Sequence, residues 1–318
     1  MYHTCFISVL LSFAVSVLLG PTVISVLKRV KCRQTVREDG PRSHLKKSGT
    51  PTMGGIIILS GVALSSVMYI GKYDESIQVL FLMFGFGMVG FLDDYIKVIL
   101  SRSEGLTPIQ KLAGQLAVSL CFAYYMTEYS QTDMAMRIPF SGGRMMDFGS
   151  LNIPVFLFIV LGTANGTNFT DGLDGLAGSV TLIISVFFAV TAIGLGSGAA
   201  PAACAVAGAL MGFLLFNVYP ASVFMGDTGS LALGGFVAAC AYMLHLQLYI
   251  ALVGVIYMAE VISVILQVAW FKISGGKRLF RMAPLHHHLE LCGIKETRIV
   301  AIFTILTAVM CLVGLRAL

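Results

Sequence analysis

The stretch GLAGSVTLIISVFFAVTAIG, from Gly175 to Gly194, is apolar over a length that crosses a membrane as one helix. A hydrocarbon core of about 30 Å requires about 20 apolar residues in helical form. The whole chain of 318 residues is 57% hydrophobic and 12% charged, whereas soluble domains contain about 25% charged residues. The sequence therefore predicts an all-α, polytopic integral membrane protein.

Similar apolar stretches recur along the chain, and we count about ten membrane-spanning helices. No fixed-period repeat and no separating linker interrupts them, so residues 1–318 are predicted to form a single membrane domain. The predicted spans are 2–27, 53–70, 77–97, 108–127, 154–170, 175–194, 200–218, 230–246, 248–271 and 297–317.

The distribution of basic residues predicts the orientation of these spans. If the segment 28–47 lies inside the cell, 17 of the 21 Lys and Arg residues are also inside. Lys72, Arg137, Arg144 and Arg316 are then outside, which is a strong positive-inside bias. Both termini are expected outside, and little soluble surface remains on which nucleic acid could bind. The outside segment 128–152 contains a Gly-rich turn and predicts a small hairpin.

Four clusters of acidic, amide and imidazole residues lie at the same predicted end of their apolar segments, the cytoplasmic end. Ionisable groups at the edge of a membrane span cost several kcal/mol to desolvate, so they rarely occur there without a function. This convergence predicts an active site at the cytoplasmic face.

The first cluster ends the third span with Asp93, Asp94 and Lys97. Asp93 and Lys97 share a helical face at i,i+4 spacing, so an ion pair at the helix end is one interpretation. Two adjacent carboxylates exceed what one lysine requires, which favours cation binding or proton transfer.

The second cluster spaces Asn165, Asn168, Asp171 and Asp174 at every third residue. Gly172 and its neighbouring glycines favour an irregular or 3₁₀ segment that would align these side chains on one side. A helix-packing seam of small and amide residues is the alternative.

The third cluster comprises Asn217 and the segment FMGDTGS from Phe224 to Ser230. Asp227 could cap the next helix or bind a metal ion. Phe224 could lie in the core or stack on a planar base.

The fourth cluster is the consecutive triplet His286, His287 and His288, which cannot all bind one metal without distortion. Donation to phosphate oxygens or general acid–base chemistry fits the triplet better than zinc binding. Glu260 and Gln267 in the ninth span have no readable function and are candidates to break that helix. The GxGxxG at 85–90 and the GxxxG at 208–212 are interpreted as helix-packing surfaces.

Carboxylate and amide oxygens select hard cations, so Mg²⁺ or Mn²⁺ is expected. Basic residues around such a site favour phosphorylated substrates, and a site at the lipid boundary implies that one substrate is a lipid. Metal-assisted phosphoryl transfer to a lipid phosphate follows. The competing class is an ion-coupled transporter, but transporters place such residues near the bilayer midplane.

The motifs GTPTMGG at 49–55, DDxxK at 93–97, NxxNxxDGLDGL at 165–176, FMGDTGS at 224–230 and APLHHH at 283–288 carry a resemblance across the whole chain. They are similar to those of the phospho-N-acetylmuramoyl-pentapeptide transferases, within the polyprenyl-phosphate N-acetylhexosamine-1-phosphate transferase superfamily. The resemblance implies a Mg²⁺-dependent enzyme of the bacterial cell membrane. It would transfer phospho-MurNAc-pentapeptide from UDP to undecaprenyl phosphate, giving lipid I and UMP.

The resemblance also implies roles for individual residues. Asp227 would bind the metal, and Asp93 and Asp94 would activate or position the lipid phosphate, with His287 as a further catalytic residue. A GlcNAc-1-phosphate transferase is left open as the alternative activity, and a homodimer as a possible oligomeric state. Whether transfer is direct or proceeds in two steps is also left open. The implied substrate-binding residues are Lys47, Thr52, Lys97, Lys111, Asn165, Asn168, Asp171, Asp174, Asn217, Phe224, His286 and His288.

Overall fold

The structure, a computed structural model, describes residues 1–30, 49–100, 105–130 and 133–318. Within these ranges the chain is predominantly helical, as predicted for an all-α protein. The principal helices are α1 Tyr2–Arg29, α2 Gly55–Ser66, α3 Asp74–Ile99, α4 Pro108–Tyr125, α5 Asn152–Thr170, α6 Leu176–Leu195, α7 Ala200–Asn217, α8 Gly226–Met243, α9 Ile250–Val253, α10 Val255–Ile273, α11 Leu285–Leu291 and α12 Glu296–Arg316.

Seven helices among the described residues are long and apolar enough to cross a membrane, which supports a polytopic membrane protein. They correspond to α1, α3, α5, α6, α7, α10 and α12. The other three predicted spans are helical too, but they do not belong to this set. Helix α2 has only 12 residues, whereas α4 and α8 have 18 residues each.

Helix α8 forms the centre of the helical packing. Each of its residues from Thr228 to Met243 is buried, and a helix that is buried on all sides needs neighbours on every face. Glycines permit the closest approaches: a Cβ on Gly234 would lie 2.4 Å from Cα of Ala164 in α5. A Cβ on Gly90 in α3 would lie 2.0 Å from the carbonyl oxygen of Asp227.

The two glycine patterns predicted as helix-packing surfaces are confirmed. Gly85 faces Val118 of α4, and Gly208 and Gly212 face the backbone of α1, where a Cβ would lie 2.2 Å from the Val9 carbonyl oxygen and 2.9 Å from that of Phe13. These contacts fix α3 and α7 against their neighbours through small residues.

The predicted ninth span is broken, but not where the sequence suggested. Helix α9 ends at Val253 and α10 begins at Val255, with Gly254 between them. The candidate break points Glu260 and Gln267 were wrong, because α10 continues through both. A Cβ on Gly254 would lie 2.8 Å from the carbonyl oxygen of Ile250, so the break leaves no room for a side chain.

The predicted hairpin is present between α4 and α5. Strand β1, Met136–Arg137, pairs antiparallel with β2, Met145–Met146. The backbone N–H of Arg137 donates to the carbonyl of His245, and that of Phe140 donates to Ala317. The hairpin is thereby joined to the C-terminal ends of α8 and α12.

Candidate active site

The end of α3 brings two carboxylates and an ammonium group together. Asp93 and Asp94 are each only 2% exposed, and Lys97 follows one turn later. Lys97 Nζ lies 2.5 Å from Asp93 Oδ2 and 3.9 Å from Asp94 Oδ1. The i,i+4 ion pair expected from the sequence is therefore present, but it is part of a larger cluster.

Asp94 holds the beginning of α8. Its Oδ2 accepts hydrogen bonds from the backbone N–H and the hydroxyl of Thr228, at 2.9 and 2.7 Å. Its Oδ1 accepts a weaker bond from the backbone N–H of Asp227, at 3.2 Å. Helix α8 begins at Gly226, so Asp227 lies in the first turn and Asp94, from another helix, satisfies these free N–H groups.

Asp227 is the point at which the sequence clusters meet. Its Oδ2 lies 2.6 Å from Nζ of Lys97 and 3.1 Å from Nζ of Lys111. Its Oδ1 accepts a 2.6 Å hydrogen bond from the amide of Asn168, which also donates to Ser230. Four helices, α3, α4, α5 and α8, therefore contribute to one cluster, which joins three of the four polar clusters of the sequence to Lys111 of α4.

The glycine-rich segment before α2 supports the loop that carries Phe224. Backbone N–H groups of Gly54 and Gly55 donate to the carbonyls of Phe224 and Met225, each at 2.8 Å, and Phe224 N–H donates to Pro51. Thr52 is buried, and its hydroxyl oxygen would be 2.8 Å from a Cβ on Gly226. Phe224 itself is only partly buried, so its ring is not a core residue.

The run from Asn165 to Asp174 is less irregular than the glycines suggested. Helix α5 continues to Thr170, and only the following residues form a turn. Asn165 consequently faces α4, where its amide donates to Gln115 Oε1 at 2.9 Å, while Asn168 faces Asp227. Asn165 and Asn168, three residues apart, share the face of α5 that borders α4, where Lys111 Nζ lies 3.4 Å from Asn168 Oδ1. The four side chains do not align on one side, because Asp171 and Asp174 lie beyond the end of the helix.

Asp171 lies in the turn after α5, outside the helical spans. Burial, together with the nearby Asp227 and Asp94 carboxylates, raises the pKa of Asp171 well above its usual range. Burial is the largest cause of this shift, and the two carboxylates add to it.

Asp174 and Asn217 connect backbone segments around the site. Asp174 Oδ2 accepts from the N–H of Ala221 at 3.0 Å, and its own N–H donates to Glu296 Oε1 at 2.7 Å. The buried Asn217 amide donates to Val223 and accepts from Gly175. These bonds fix the turn after α5 against the loop before α8.

The three histidines point to different partners, as expected from their consecutive positions. His286 Nδ1 lies 3.2 Å from Glu260 Oε1 of α10, and both side chains are almost fully buried. His287 Nδ1 lies 2.9 Å from Glu290 Oε2. His288 Nδ1 accepts from the backbone N–H of Arg281. The rings therefore do not converge on one metal.

Sequence reasoning missed three contributors: Gln115, Glu296 and Ser230. Gln115 is buried in α4. An amide within an apolar stretch was the sequence signal that could have identified it. Glu296 stands at the start of α12, where an acid also suits the helix dipole. Lys47, the remaining predicted substrate-binding residue, lies outside the described residues.

Three carboxylates, Asp93, Asp94 and Asp227, could hold a metal ion, because one oxygen from each lies within 4.8 Å of the others. Two ammonium groups, Lys97 and Lys111, border the same oxygens. Hard oxygen ligands beside cationic donors are suited to a divalent metal ion and a phosphate group together.

Comparison with known proteins agrees with this chemistry. Residues 76–245 match the family model for glycosyl transferase family 4. Residues 47–59 match signature 1 of the phospho-N-acetylmuramoyl-pentapeptide-transferases.

Curated relatives match nearly the full chain. A phospho-N-acetylmuramoyl-pentapeptide-transferase of Acetivibrio thermocellus is 46% identical, over 97% of this chain and 94% of that protein. One from Clostridium perfringens strain 13 is 46% identical over 98% of both. One from Clostridioides difficile is 45% identical over 97% of this chain and 96% of that protein. Matches of this identity and coverage place the chain in glycosyl transferase family 4 and in the phospho-N-acetylmuramoyl-pentapeptide-transferase family.

Proposed function

We propose that this chain transfers phospho-MurNAc-pentapeptide from its UDP carrier to undecaprenyl phosphate, releasing UMP and forming lipid I. This would be the first membrane step of peptidoglycan synthesis. The observation that carries the proposal is the meeting of Asp93, Asp227, Lys97 and Lys111 at the common end of apolar helices. Family membership supports the identity of the donor.

The donor atoms fit a hard divalent cation, and we propose Mg²⁺ with Asp227 as its principal ligand. Asp93 offers a second carboxylate, since its Oδ1 is engaged with the Leu106 N–H while Oδ2 faces the cluster. Bound Mg²⁺ would supply charge neutralisation for the diphosphate of the donor.

The lysines would bind and orient the diphosphate. Lys97 and Lys111 project from two helices onto the same Asp227 oxygen, so phosphate oxygens entering beside that oxygen meet both ammonium groups. Thr52, Asn168 and His287 would complete the phosphate and sugar contacts. Phe224, with its partly exposed ring, would stack on the uracil.

We propose direct attack by the lipid phosphate. An oxygen of that phosphate would bond to the phosphorus linked to the sugar, while the bond from this phosphorus to the bridging oxygen breaks and UMP leaves with the electron pair. Asp93 would position the attacking phosphate or accept its residual proton. Asp227 is a poor nucleophile in comparison, because its charge is already engaged by two ammonium groups.

We further propose that the active site faces the cytoplasm of a bacterium, with about ten spans and both termini outside. The basis is the positive-inside bias, in which 17 of 21 basic residues lie on one side. The short helix α2, the partly exposed helix α4 and the buried helix α8 would then complete the ten spans.

The test is transfer of label to lipid by the purified protein. Radiolabelled UDP-MurNAc-pentapeptide and UDP-GlcNAc are each incubated with undecaprenyl phosphate, with Mg²⁺ or with EDTA. We expect lipid-soluble label from the MurNAc donor only, and only with the metal. Label from UDP-GlcNAc instead would identify a GlcNAc-1-phosphate transferase and contradict the proposal.

A further inference from the structure

We propose that Glu260, His286 and Gly172 form a buried positioning unit that fixes the histidine helix α11 against the acidic turn of the active site. The proposal assigns a role to Glu260, whose function could not be predicted from the sequence. It rests on the proposed transfer reaction, because the parts that the unit would hold in place belong to that site.

The first observation is a buried acid and a buried imidazole in contact. Glu260 is 0% exposed and His286 is 1% exposed, with Oε1 and Nδ1 separated by 3.2 Å. A carboxylate withdrawn from water costs several kcal/mol unless a partner compensates it. Within the described residues, His286 is the titratable group at ion-pair distance from Glu260.

The second observation lies on the other side of the imidazole ring. A Cβ built on Gly172 would lie 2.1 Å from His286 Nε2 and 2.6 Å from Cε1. The ring therefore packs directly on the backbone of the turn between α5 and α6. Gly172 follows Asp171, so the ring contacts the acidic turn at the residue beside a site carboxylate.

Helix α10 is positioned to deliver Glu260 to this place. It crosses α5 at Gly166, where a Cβ would lie 3.0 Å from Cβ of Tyr257. Glu260 is nearly one turn beyond Tyr257 and so extends past the last turns of α5 toward Gly172. The close crossing of α10 and α5 thus fixes the position along α10 at which the Glu260 carboxylate contacts His286.

A second anchor on the same helix holds the loop before α11. Gln267 Oε1 accepts backbone hydrogen bonds from Leu279 and Phe280, at 3.1 and 2.8 Å. The Phe280 ring packs edge-on against His288, with centroids 5.5 Å apart. Helix α10 therefore secures the histidine segment at two points, through Glu260 and through Gln267.

His287 is the residue whose place these anchors would determine. Its ring centroid is 4.1 Å from that of His286, so a displaced His286 ring would displace its neighbour. His286 and Glu260 are accordingly positioning residues, acting through His287 and through the turn that carries Asp171.

The test combines a substitution series with transfer kinetics and thermal unfolding in detergent. Glu260→Ala removes the carboxylate, and Glu260→Gln keeps a side chain of the same length without the charge. Gly172→Ala drives a methyl group into the imidazole, and His286→Ala removes the ring that it would meet. Gly162→Ala in α5 is the control, because a Cβ there meets nothing within 4 Å.

We expect Glu260→Ala and Gly172→Ala each to lower kcat per folded protein by about tenfold or more. KM for the UDP substrate should change by less than about twofold, because these substitutions disturb the alignment of the reacting groups and not the binding of the substrate. Glu260→Gln should lose less, and Gly162→Ala should match the wild type.

The double variant Gly172→Ala/His286→Ala decides whether the residues act as a unit. We expect it to be no worse than His286→Ala alone, in kcat and in unfolding temperature, since the clash disappears with the ring. The proposal would be overturned if the losses in kcat and in unfolding temperature of Gly172→Ala and His286→Ala simply added in the double variant. A wild-type kcat for Glu260→Ala would also overturn it. A wild-type protein without transfer activity would contradict the proposed function, and the unfolding-temperature cycle would still test the unit.

Discussion

At the residue scale, Asp227 meets donors from three helices: Lys97 of α3, Lys111 of α4 and Asn168 of α5. Removing the charge of one member of such a cluster leaves the others uncompensated. The same crowding of charges is what a metal-bound diphosphate requires, since anionic phosphate oxygens can replace the carboxylate as partners of the lysines.

Phe224 belongs to the same scale. Phe224→Ala should weaken binding of UMP or a uridine inhibitor by about 1–3 kcal/mol, the range for stacking a base on an aromatic ring. Phe224→Tyr should retain most of that affinity. Calorimetric titration measures both, and Phe140→Ala in the hairpin is the control, because that ring is 63% exposed. Unchanged affinity in Phe224→Ala would remove the stacking role.

The route of transfer can be decided at Asp93. If the lipid phosphate attacks directly, exchange of labelled UMP into the UDP substrate should require undecaprenyl phosphate. Asp93→Asn should then lose transfer while keeping nucleotide binding, because Asp227 remains as the principal metal ligand and the charge of Asp93 mainly serves the acceptor. Exchange by exhaustively delipidated protein at the rate seen with lipid would contradict direct attack and indicate a covalent phospho-sugar intermediate.

At the element scale, the site depends on how closely α3 approaches α8. Two of the predicted clusters could be assigned from the sequence because their polar residues end apolar stretches. The partners of Asn165 and Asp174 could not, because Gln115 and Glu296 come from helices whose packing no local pattern specifies. The continuation of α5 to Thr170 likewise reflects tertiary packing, which overrides the turn preference of its glycines.

The close approach of α3 and α8 yields a direct prediction. Gly90→Ala places a Cβ 2.0 Å from the Asp227 carbonyl oxygen, so the two helices must separate. We expect a loss of about 1–3 kcal/mol in unfolding free energy and a larger loss of transfer activity, since Asp93 and Asp227 lie on opposite sides of this contact. Thermal unfolding and turnover are measured together.

The matched control is Gly194→Ala in α6, where a Cβ meets nothing within 4 Å. It should retain both stability and turnover. A Gly90→Ala protein that equals this control in both measurements would contradict the packing described for α3 and α8.

At the scale of the whole molecule, composition and hydropathy predicted the membrane class, and basic-residue counts predicted the orientation. The number of spans depends on α2, α4 and α8, whose lipid exposure is governed by neighbours rather than by their own hydropathy. Helix α8 illustrates the reason: it is buried from Thr228 to Met243, so protein and not lipid surrounds it.

Orientation can be tested with single cysteines. Arg144→Cys lies in the exposed hairpin and Lys277→Cys in the exposed loop between α10 and α11. A membrane-impermeant maleimide should label Arg144→Cys in spheroplasts, and Lys277→Cys only after permeabilisation, with wild-type labelling as background. Labelling in the reverse order would invert the proposed topology.

The most direct test of the whole account is label transfer by the wild-type protein, Asp227→Asn and Asp147→Asn, side by side. Asp147, in the loop before α5, is the control because its carboxylate bonds only local groups, Gly149 and Asn152, among its described contacts. With Mg²⁺, undecaprenyl phosphate and labelled UDP-MurNAc-pentapeptide, we predict lipid-linked label and equimolar UMP from the wild type and Asp147→Asn. Asp227→Asn should be inactive but still folded, with a cooperative unfolding transition, because the amide keeps the shape and the hydrogen-bonding atoms of the carboxylate. Wild-type turnover by Asp227→Asn, or no lipid product from folded wild-type protein, would contradict the account.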